Sequence, residues 1–159
     1  MYTAVCTLEH DGRSACAAET DGSALYTAGR DGMIRAWDLE DGHCLLEWAG
    51  QEQRIETLVS LDVGQLVSAG DGGDISLWDS DTGERLGAYS GHADVVTDLD
   101  ADATGAIMAS VSYDQTVKRW DINAHRSSVA SKLADRKLVS VAVSPDSKVI
   151  AYGGVGPTL

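Results

Sequence analysis

Three copies of the dipeptide Trp-Asp divide this chain at nearly equal intervals. They stand at Trp37-Asp38, Trp78-Asp79 and Trp120-Asp121, and the intervals are 41 and 42 residues. Only four Trp residues occur among 159, so chance does not account for this placement. A period of about 40–45 residues that ends in this dipeptide is typical of a repeating unit of four short strands. Proteins built from such units carry function on loops at one face, which argues against a catalytic cluster.

Short apolar and β-branched segments, separated by turns rich in Gly and Asp, fill each interval. No stretch shows sustained helical periodicity, and the connections are too short for crossover helices. The pattern therefore predicts an all-β fold of four-stranded antiparallel blades. The segments predicted as strands are 14–18, 24–28, 33–37 and 44–48 in the first unit, 55–60, 65–69, 75–78 and 85–89 in the second, and 95–100, 106–111, 116–120 and 127–133 in the third.

From about residue 10 to residue 154, the chain resembles the WD-repeat β-propeller family. Besides the Trp-Asp pairs, Gly91-His92 stands where that family has its Gly-His pair. Stretches of small residues such as Thr27-Ala28-Gly29 and Ser68-Ala69-Gly70 match the strand before the family's turn Asp. In the family, a His, a Ser or Thr, an Asp and the Trp form a hydrogen-bonded set inside each blade. The resemblance implies structural sets at His92, Ser110, Asp114 and Trp120, at His10, Thr27, Asp31 and Trp37, and at Ser68 and Trp78 alone.

The second of these sets departs from the family pattern. Gln51 stands in the place of the His, and Gly72 in the place of the Asp. The residue types of a full set suit one another, because an imidazole accepts from a hydroxyl while donating to a carboxylate, and a buried indole N–H needs an acceptor. A set with half of its members loses this cooperation, so we expect the second blade to be less rigid.

The repeats assign the chain to a single partial propeller. We expect an edge strand at 1–9, blades at 10–50, 51–91 and 92–134, and the start of a fourth blade at 135–159. Three and a half blades are fewer than the roughly four to eight of closed propellers, so the arc is expected to be open. Three explanations stay open: the chain is a fragment of a longer propeller, two copies pair into one ring, or another chain supplies the remaining blades.

Charge limits the class of partner. The formal net charge is −13, and such a chain is repelled by nucleic acid and by anionic membranes. The negative charge therefore favours a basic protein as the partner. No signal peptide is visible and no apolar run approaches the ~20 residues of a membrane span, which predicts an intracellular protein, cytoplasmic or nuclear.

The residues that could carry chemistry favour structural roles. The four His have no His or Cys at ligand spacing apart from the adjacent His43-Cys44, and the three Cys are expected to be small buried side chains. Calcium is the better alternative, since 79–83 and 98–102 each resemble the start of an EF-hand loop, but neither has the closing Glu. We therefore expect no enzyme activity, no metal and no cofactor.

The function expected from these observations is that of a scaffold for protein–protein interaction. The family's usual contact face is built from the loops entering each blade and the turn before its third strand. Members that serve as ubiquitin-ligase adaptors carry Arg two residues after the Trp-Asp pair's Asp. This chain has Glu40, Asp81 and Asn123 there, so the adaptor role is disfavoured. The alternative is a targeting segment of a longer protein with catalysis elsewhere. The candidate binding face comprises Arg13, Arg30, Arg54, Asp71, Asp94 and Tyr113.

Overall fold

The computed structural model describes residues 15–20, 22, 24–61, 64–124, 126–132 and 137–156, and it gives no account of the side chains of 15–18 and 126–132. Within these residues the chain forms fourteen β strands and no helix. The predicted edge strand at 1–9 lies outside them. The strands are β1 (Ala15–Thr20), β2 (Ala24–Gly29), β3 (Met33–Asp38), β4 (Cys44–Ala49), β5 (Ile55–Leu61), β6 (Gln65–Gly70), β7 (Ile75–Asp79), β8 (Arg85–Tyr89), β9 (Val96–Ala101), β10 (Ile107–Ser112), β11 (Thr116–Asp121), β12 (Arg126–Lys132), β13 (Lys137–Val143) and β14 (Ile150–Val155).

The strands form three four-stranded antiparallel sheets and one two-stranded sheet. Their orders are β1-β2-β3-β4, β5-β6-β7-β8, β9-β10-β11-β12 and β13-β14. The first strand of each sheet lies beside the first strand of the next, so β1, β5, β9 and β13 follow one another around an axis. The sheets are thus the blades of an open β-propeller, which confirms the predicted fold class. We call the end with the β2–β3, β6–β7 and β10–β11 turns the upper end, and the other end the lower end.

The core lies between successive blades. One cluster joins the first and second blades around Ile34, Leu66 and Trp78, and another joins the second and third around Met108 and Trp120. A third, smaller cluster packs Val117 of the third blade against Leu138 and Val141 of β13. A sheet with two apolar faces needs a neighbour on each side, which explains why middle strands such as β10 are buried throughout.

The expectation of a buried thiol is wrong for Cys44. This residue is exposed, because it begins β4, the outermost strand of the first blade. On β4 only Trp48 is buried, so an apolar segment at this place in the sheet still faces solvent. The side chains of Cys6 and Cys16 lie outside the described residues.

Candidate interaction face and the polar sets behind it

In the third blade, four side chains form a continuous hydrogen-bonded chain. His92 Nδ1 lies 2.8 Å from Asp114 Oδ2, and His92 Nε2 lies 2.6 Å from Ser110 Oγ. Trp120 Nε1–H donates to the same Ser110 Oγ over 2.8 Å. The imidazole is fully buried. This hydrogen-bonded set therefore ties the loop entering the blade to the second and third strands of the blade.

The direction of each hydrogen bond follows from the ionised Asp114 carboxylate, which can only accept. His92 Nδ1–H therefore donates to Asp114, the neutral imidazole accepts at Nε2 from the Ser110 hydroxyl, and Ser110 Oγ accepts from Trp120 Nε1–H. Burial lowers the pKa of His92 despite the neighbouring carboxylate, so the imidazole is neutral at neutral pH. Burial acts to raise the pKa of Asp114, but hydrogen bonds from Thr116, the Ala93 N–H and His92 outweigh it and hold the value at about 2.

Because the pKa values of His92 and Asp114 are both lowered in the folded state, acid destabilises the fold. A folded-state pKa below the unfolded one stabilises the fold above the unfolded pKa, and that contribution is lost as the pH falls. We expect His92 to contribute to a fall in the urea midpoint below its ordinary pKa of 6.5, and Asp114 to contribute below 3.8 toward about 2. Nearby Lys118 also lowers the pKa of His92.

The His92→Gln variant isolates the histidine term, because Gln has no group that titrates at this position. Gln occupies the same position in the second blade, so the side chain is compatible with the loop. Urea unfolding followed by circular dichroism between pH 7 and 5 should show a shallower fall for His92→Gln than for the wild type. Equal slopes would contradict the account.

The first blade keeps the indole bond and adds a buried ion pair. Trp37 Nε1–H donates to Thr27 Oγ1 over 2.7 Å. The turn residue Asp31 accepts from Arg35 Nη2 at 3.0 Å, and Arg35 Nε lies 2.5 Å from Glu47 Oε2. Sequence reasoning missed Arg35, and the signal for it is its place opposite Thr27 in the β2–β3 register. His10, the fourth member assigned to this set, lies outside the described residues.

The second blade has the indole bond without the His and the Asp. Trp78 Nε1–H donates to Ser68 Oγ over 2.9 Å. Gln51 Nε2 instead donates to the backbone oxygen of Asp74 at 3.1 Å. Gly72, which stands in the place of the turn Asp, has no carboxylate. The loop entering this blade is therefore held by a bond to backbone, in place of the buried chain found in the third blade.

Restoring the missing residues should stabilise the second blade. We expect the double variant Gln51→His/Gly72→Asp to raise the free energy of unfolding by about 1–2 kcal/mol, because it adds two buried hydrogen bonds. Urea unfolding of the double and both single variants forms a mutant cycle, with an expected coupling of at least about 0.5 kcal/mol. Strictly additive single effects would show that no set had formed.

The residues assigned to the binding face lie at the upper end, as far as they are described. The Asp71 N–H donates to the Arg54 oxygen, and the Tyr113 N–H to the Val95 oxygen, so each turn is joined to the loop that enters its blade. Arg30, Asp71 and Asp94 are exposed, whereas Tyr113 is half-buried. Arg13 lies outside the described residues.

Two further features of this face were not foreseen from the sequence. The ammonium of Lys137 lies 4.4 Å from the ring centre of Tyr113, a cation–π contact that extends the face to the fourth blade. Arg54 is paired with Glu56, with Nη2 and Oε2 2.9 Å apart. The Lys137–Tyr113 contact is not visible in spacing, because it depends on β13 lying beside the third blade, whereas Arg54 and Glu56 are only two residues apart.

In the two acidic segments considered for calcium, four of the five carboxylates accept hydrogen bonds from the protein itself. Asp98 accepts from the Val141 N–H at 2.9 Å, and Asp100 from the Val143 N–H at 2.6 Å, which fastens β9 to β13. Asp102 accepts from the hydroxyl of Ser147. In the other segment, the Asp79 carboxylate accepts the N–H groups of residues 81 and 82 and closes a turn. Hairpin and edge contacts thus explain both segments.

Another group of metal-type ligands lies on the turn after β3. Carboxylate and imidazole atoms of Asp38, Asp41 and His43 all lie within 4.8 Å of one another, among the residues the structure describes. Asp41 accepts from His43 Nδ1, and this hydrogen bond raises the pKa of the imidazole. Asp38 accepts the N–H groups of residues 40 and 41. These contacts account for the arrangement as a turn.

The blades, their indole bonds and the loops at one end define a propeller of WD repeats. The family model for the WD domain, G-beta repeat, matches residues 3–38 and 83–121. This match confirms the resemblance to the WD-repeat family seen in the sequence. The unmatched stretch between the two segments includes Gln51 and Gly72, where the second set departs from the pattern.

Known proteins show the same likeness. The chain is 28% identical to the DDB1- and CUL4-associated factor 11 homolog of Caenorhabditis elegans over 122 residues. The aligned stretch covers 77% of this chain and 15% of that protein. It is 43% identical over 42 residues to eukaryotic translation initiation factor 3 subunit I of Neurospora crassa, 26% of this chain and 12% of that protein. The chain therefore spans only a small part of the relatives it matches.

A solved structure, titled Structure of U3-55K, has the same fold. Its TM-score is 0.79 at 22% identity, and the match covers 86% of this chain and 45% of that one. Among the described residues, no helix is long and apolar enough to cross a membrane.

Proposed function

We propose that this chain is a non-enzymatic scaffold that binds other proteins within a multiprotein complex. The observation that carries the proposal is the upper end, where Arg30, Asp71 and Asp94 are exposed and backbone hydrogen bonds hold the turns of Asp71 and Tyr113. Such loops can bind with little loss of conformational freedom. Tyr and Arg are also the residue types enriched where binding energy is concentrated.

The charge of the whole chain favours a basic partner. With a net charge of −13, long-range attraction accelerates encounter with a positively charged protein and disfavours nucleic acid and anionic membranes. A cavity of about 460 Å³ along the inner strands is lined by five carboxylates and adds to this negative field. We place the chain inside the cell, and fractionation of expressing cells tests that placement.

The test compares two triple alanine variants at opposite ends of the blades. Arg30→Ala/Asp71→Ala/Tyr113→Ala removes one side chain from each upper turn. Glu40→Ala/Asp81→Ala/Asn123→Ala removes one exposed side chain from each lower turn and serves as the control. Both must keep the wild-type urea midpoint. Quantitative affinity purification should show loss of partners only for the upper variant, and equal retention by both would contradict the proposal.

The fourth blade supports a second part of the proposal, that further strands complete this arc. In the four-stranded blades the second strand pairs on both sides, whereas in the described residues β14 pairs with β13 alone. Val149, Tyr152 and Val155 are exposed there, at 60%, 39% and 61%. Exposed apolar residues beside a free strand edge form an association surface.

The native mass of the polypeptide in solution distinguishes the sources of those strands. A monodisperse dimer supports completion of the ring by a second copy. A polydisperse or poorly folded sample supports blades supplied by a longer polypeptide or by another chain, and recovery of the full reading frame then decides between these two. A stable, monodisperse monomer would contradict this part of the proposal.

The runner-up function is that of a targeting or regulatory segment in a longer multidomain protein. Its support is the coverage of only 15% of the Caenorhabditis elegans relative. A catalytic segment in the full reading frame would favour this alternative, whereas additional Trp-Asp units alone would favour the scaffold.

A further inference from the structure

A pocket of about 330 Å³ lies on the upper end of the second blade, where the structural set is incomplete. The residues that line it include Gln51, Gln53, Gly72, Ser76 and Arg85. Glu52 and Asp74, both exposed, also line it. The pocket thus occupies the place where the other blades carry their turn aspartate.

Equivalent positions in the first blade show which groups belong together there. Arg35 lies opposite Thr27, as Ser76 lies opposite Ser68 in the second blade. In the first blade, the buried guanidinium of Arg35 is neutralised by Asp31. The first blade therefore couples a guanidinium from its strands to a carboxylate from its turn.

The second blade also has a guanidinium, that of Arg85, but Gly72 supplies no carboxylate to pair with it. Arg85 Nη2 reaches from β8 and donates to Ser76 Oγ over 3.1 Å. Its guanidinium carbon lies 6.0 Å from the ring centre of Trp78. Within the described residues no carboxylate oxygen lies within ion-pair distance of Arg85, although two carboxylates line the same pocket. A guanidinium with a single neutral acceptor has further N–H donors to offer.

Space for a carboxylate is present in the pocket that Arg85 lines. A β-carbon at position 72 would have only one near neighbour, Gln53 Oε1 at 3.9 Å, and the backbone there is not in the left-handed region. The absence of a side chain at Gly72 thus leaves an opening in the turn that a group from outside can enter.

We propose that this pocket receives an aspartate or glutamate side chain of a partner protein, with Arg85 as the donor. The carboxylate takes the place that Asp31 fills in the first blade. Glu52 and Asp74 lie at the same pocket, so a Lys or Arg next to the acidic residue offsets their repulsion. The fitting segment is therefore an acidic residue flanked by basic ones, a pattern compatible with a basic partner. This proposal rests on the proposed scaffold function.

The test uses two short peptides, acetyl-Lys-Asp-Lys-amide and its Asn counterpart, titrated into the intact chain. The reporter is the Arg85 Nε–Hε signal in ¹⁵N-correlated NMR spectra, assigned by its loss in Arg85→Gln. We expect the Asp peptide to shift this signal and to bind at least about tenfold more tightly than the Asn peptide, equivalent to about 1.4 kcal/mol. Equal titration by both peptides, or no shift at millimolar concentration, would overturn the proposal.

Gly72→Asp supplies the carboxylate from within the chain and should weaken binding of the Asp peptide about tenfold or more. Gly153→Asp is the matched control, since a β-carbon there meets no atom within 4 Å and the residue lies on the fourth blade. It should bind like the wild type. Unchanged binding by Gly72→Asp would count against the pocket. The upper and lower triple variants retain Gly72 and Arg85, so their outcome tests the scaffold function separately.

Discussion

Replacing Trp120 with alanine should lower the free energy of unfolding by about 3–5 kcal/mol. The indole is 2% exposed and is the largest fully buried side chain among the described residues. It packs edge-on against Tyr89, with ring centres 5.7 Å apart, in the core between the second and third blades. Its loss opens a cavity and also leaves Ser110 without its indole donor, so both terms destabilise.

Urea unfolding followed by circular dichroism measures the Trp120 effect. Leu86→Ala is the control, because that apolar side chain is 45% exposed and its removal should change stability by no more than about 0.5 kcal/mol. Trp120→Phe retains much of the ring volume and should fall between the two. A loss below about 1 kcal/mol for Trp120→Ala would mean that the blades do not share the described core.

The second large effect is expected for Asp114→Ala, at about 2–3 kcal/mol. The carboxylate accepts from His92 Nδ1, the Ala93 N–H and both the N–H and hydroxyl of Thr116. Its removal takes the charged acceptor from the fully buried Nδ1–H of His92 and leaves it only the Thr116 hydroxyl, 3.1 Å away. Hydrogen bonds to a charged acceptor contribute more than neutral ones.

Asp71→Ala is the matched control for Asp114→Ala, since it removes an exposed aspartate from the equivalent turn of the second blade. It should change the free energy of unfolding by no more than about 0.5 kcal/mol. Similar losses of unfolding free energy for the two variants would show that the buried hydrogen-bonded set of the third blade adds no stability.

The strands were predictable to within one or two residues, because each repeat shows the same order of apolar segments and turns. They run past the predicted ends where pairing continues, as at Asp38, which pairs with Ala24. The exposure of Cys44 was not predictable from local polarity, since it depends on β4 being the outermost strand. Sequence spacing distinguishes strands from loops but does not say which strand lies outermost.

Contacts that cross between strands or blades were also not predictable from the sequence. Arg35 and Arg85 both bring a guanidinium to the upper part of their blades, yet they come from different strands and share no motif. Asp98 and Asp100 looked like the start of a cation loop, whereas their partners are backbone groups of β13, about forty residues on. Such assignments require the order of the blades, which spacing alone does not provide.

The central claim, that the upper end binds other proteins, is tested most directly by site-specific photo-crosslinking. A benzophenone amino acid replaces Tyr113 at the upper end or Asn123 at the lower end, and the chain is irradiated in an extract of the organism that makes it. We predict covalent adducts to another protein from position 113 and few from position 123. Adducts from position 123 alone, or equal yields from both positions, would contradict the account.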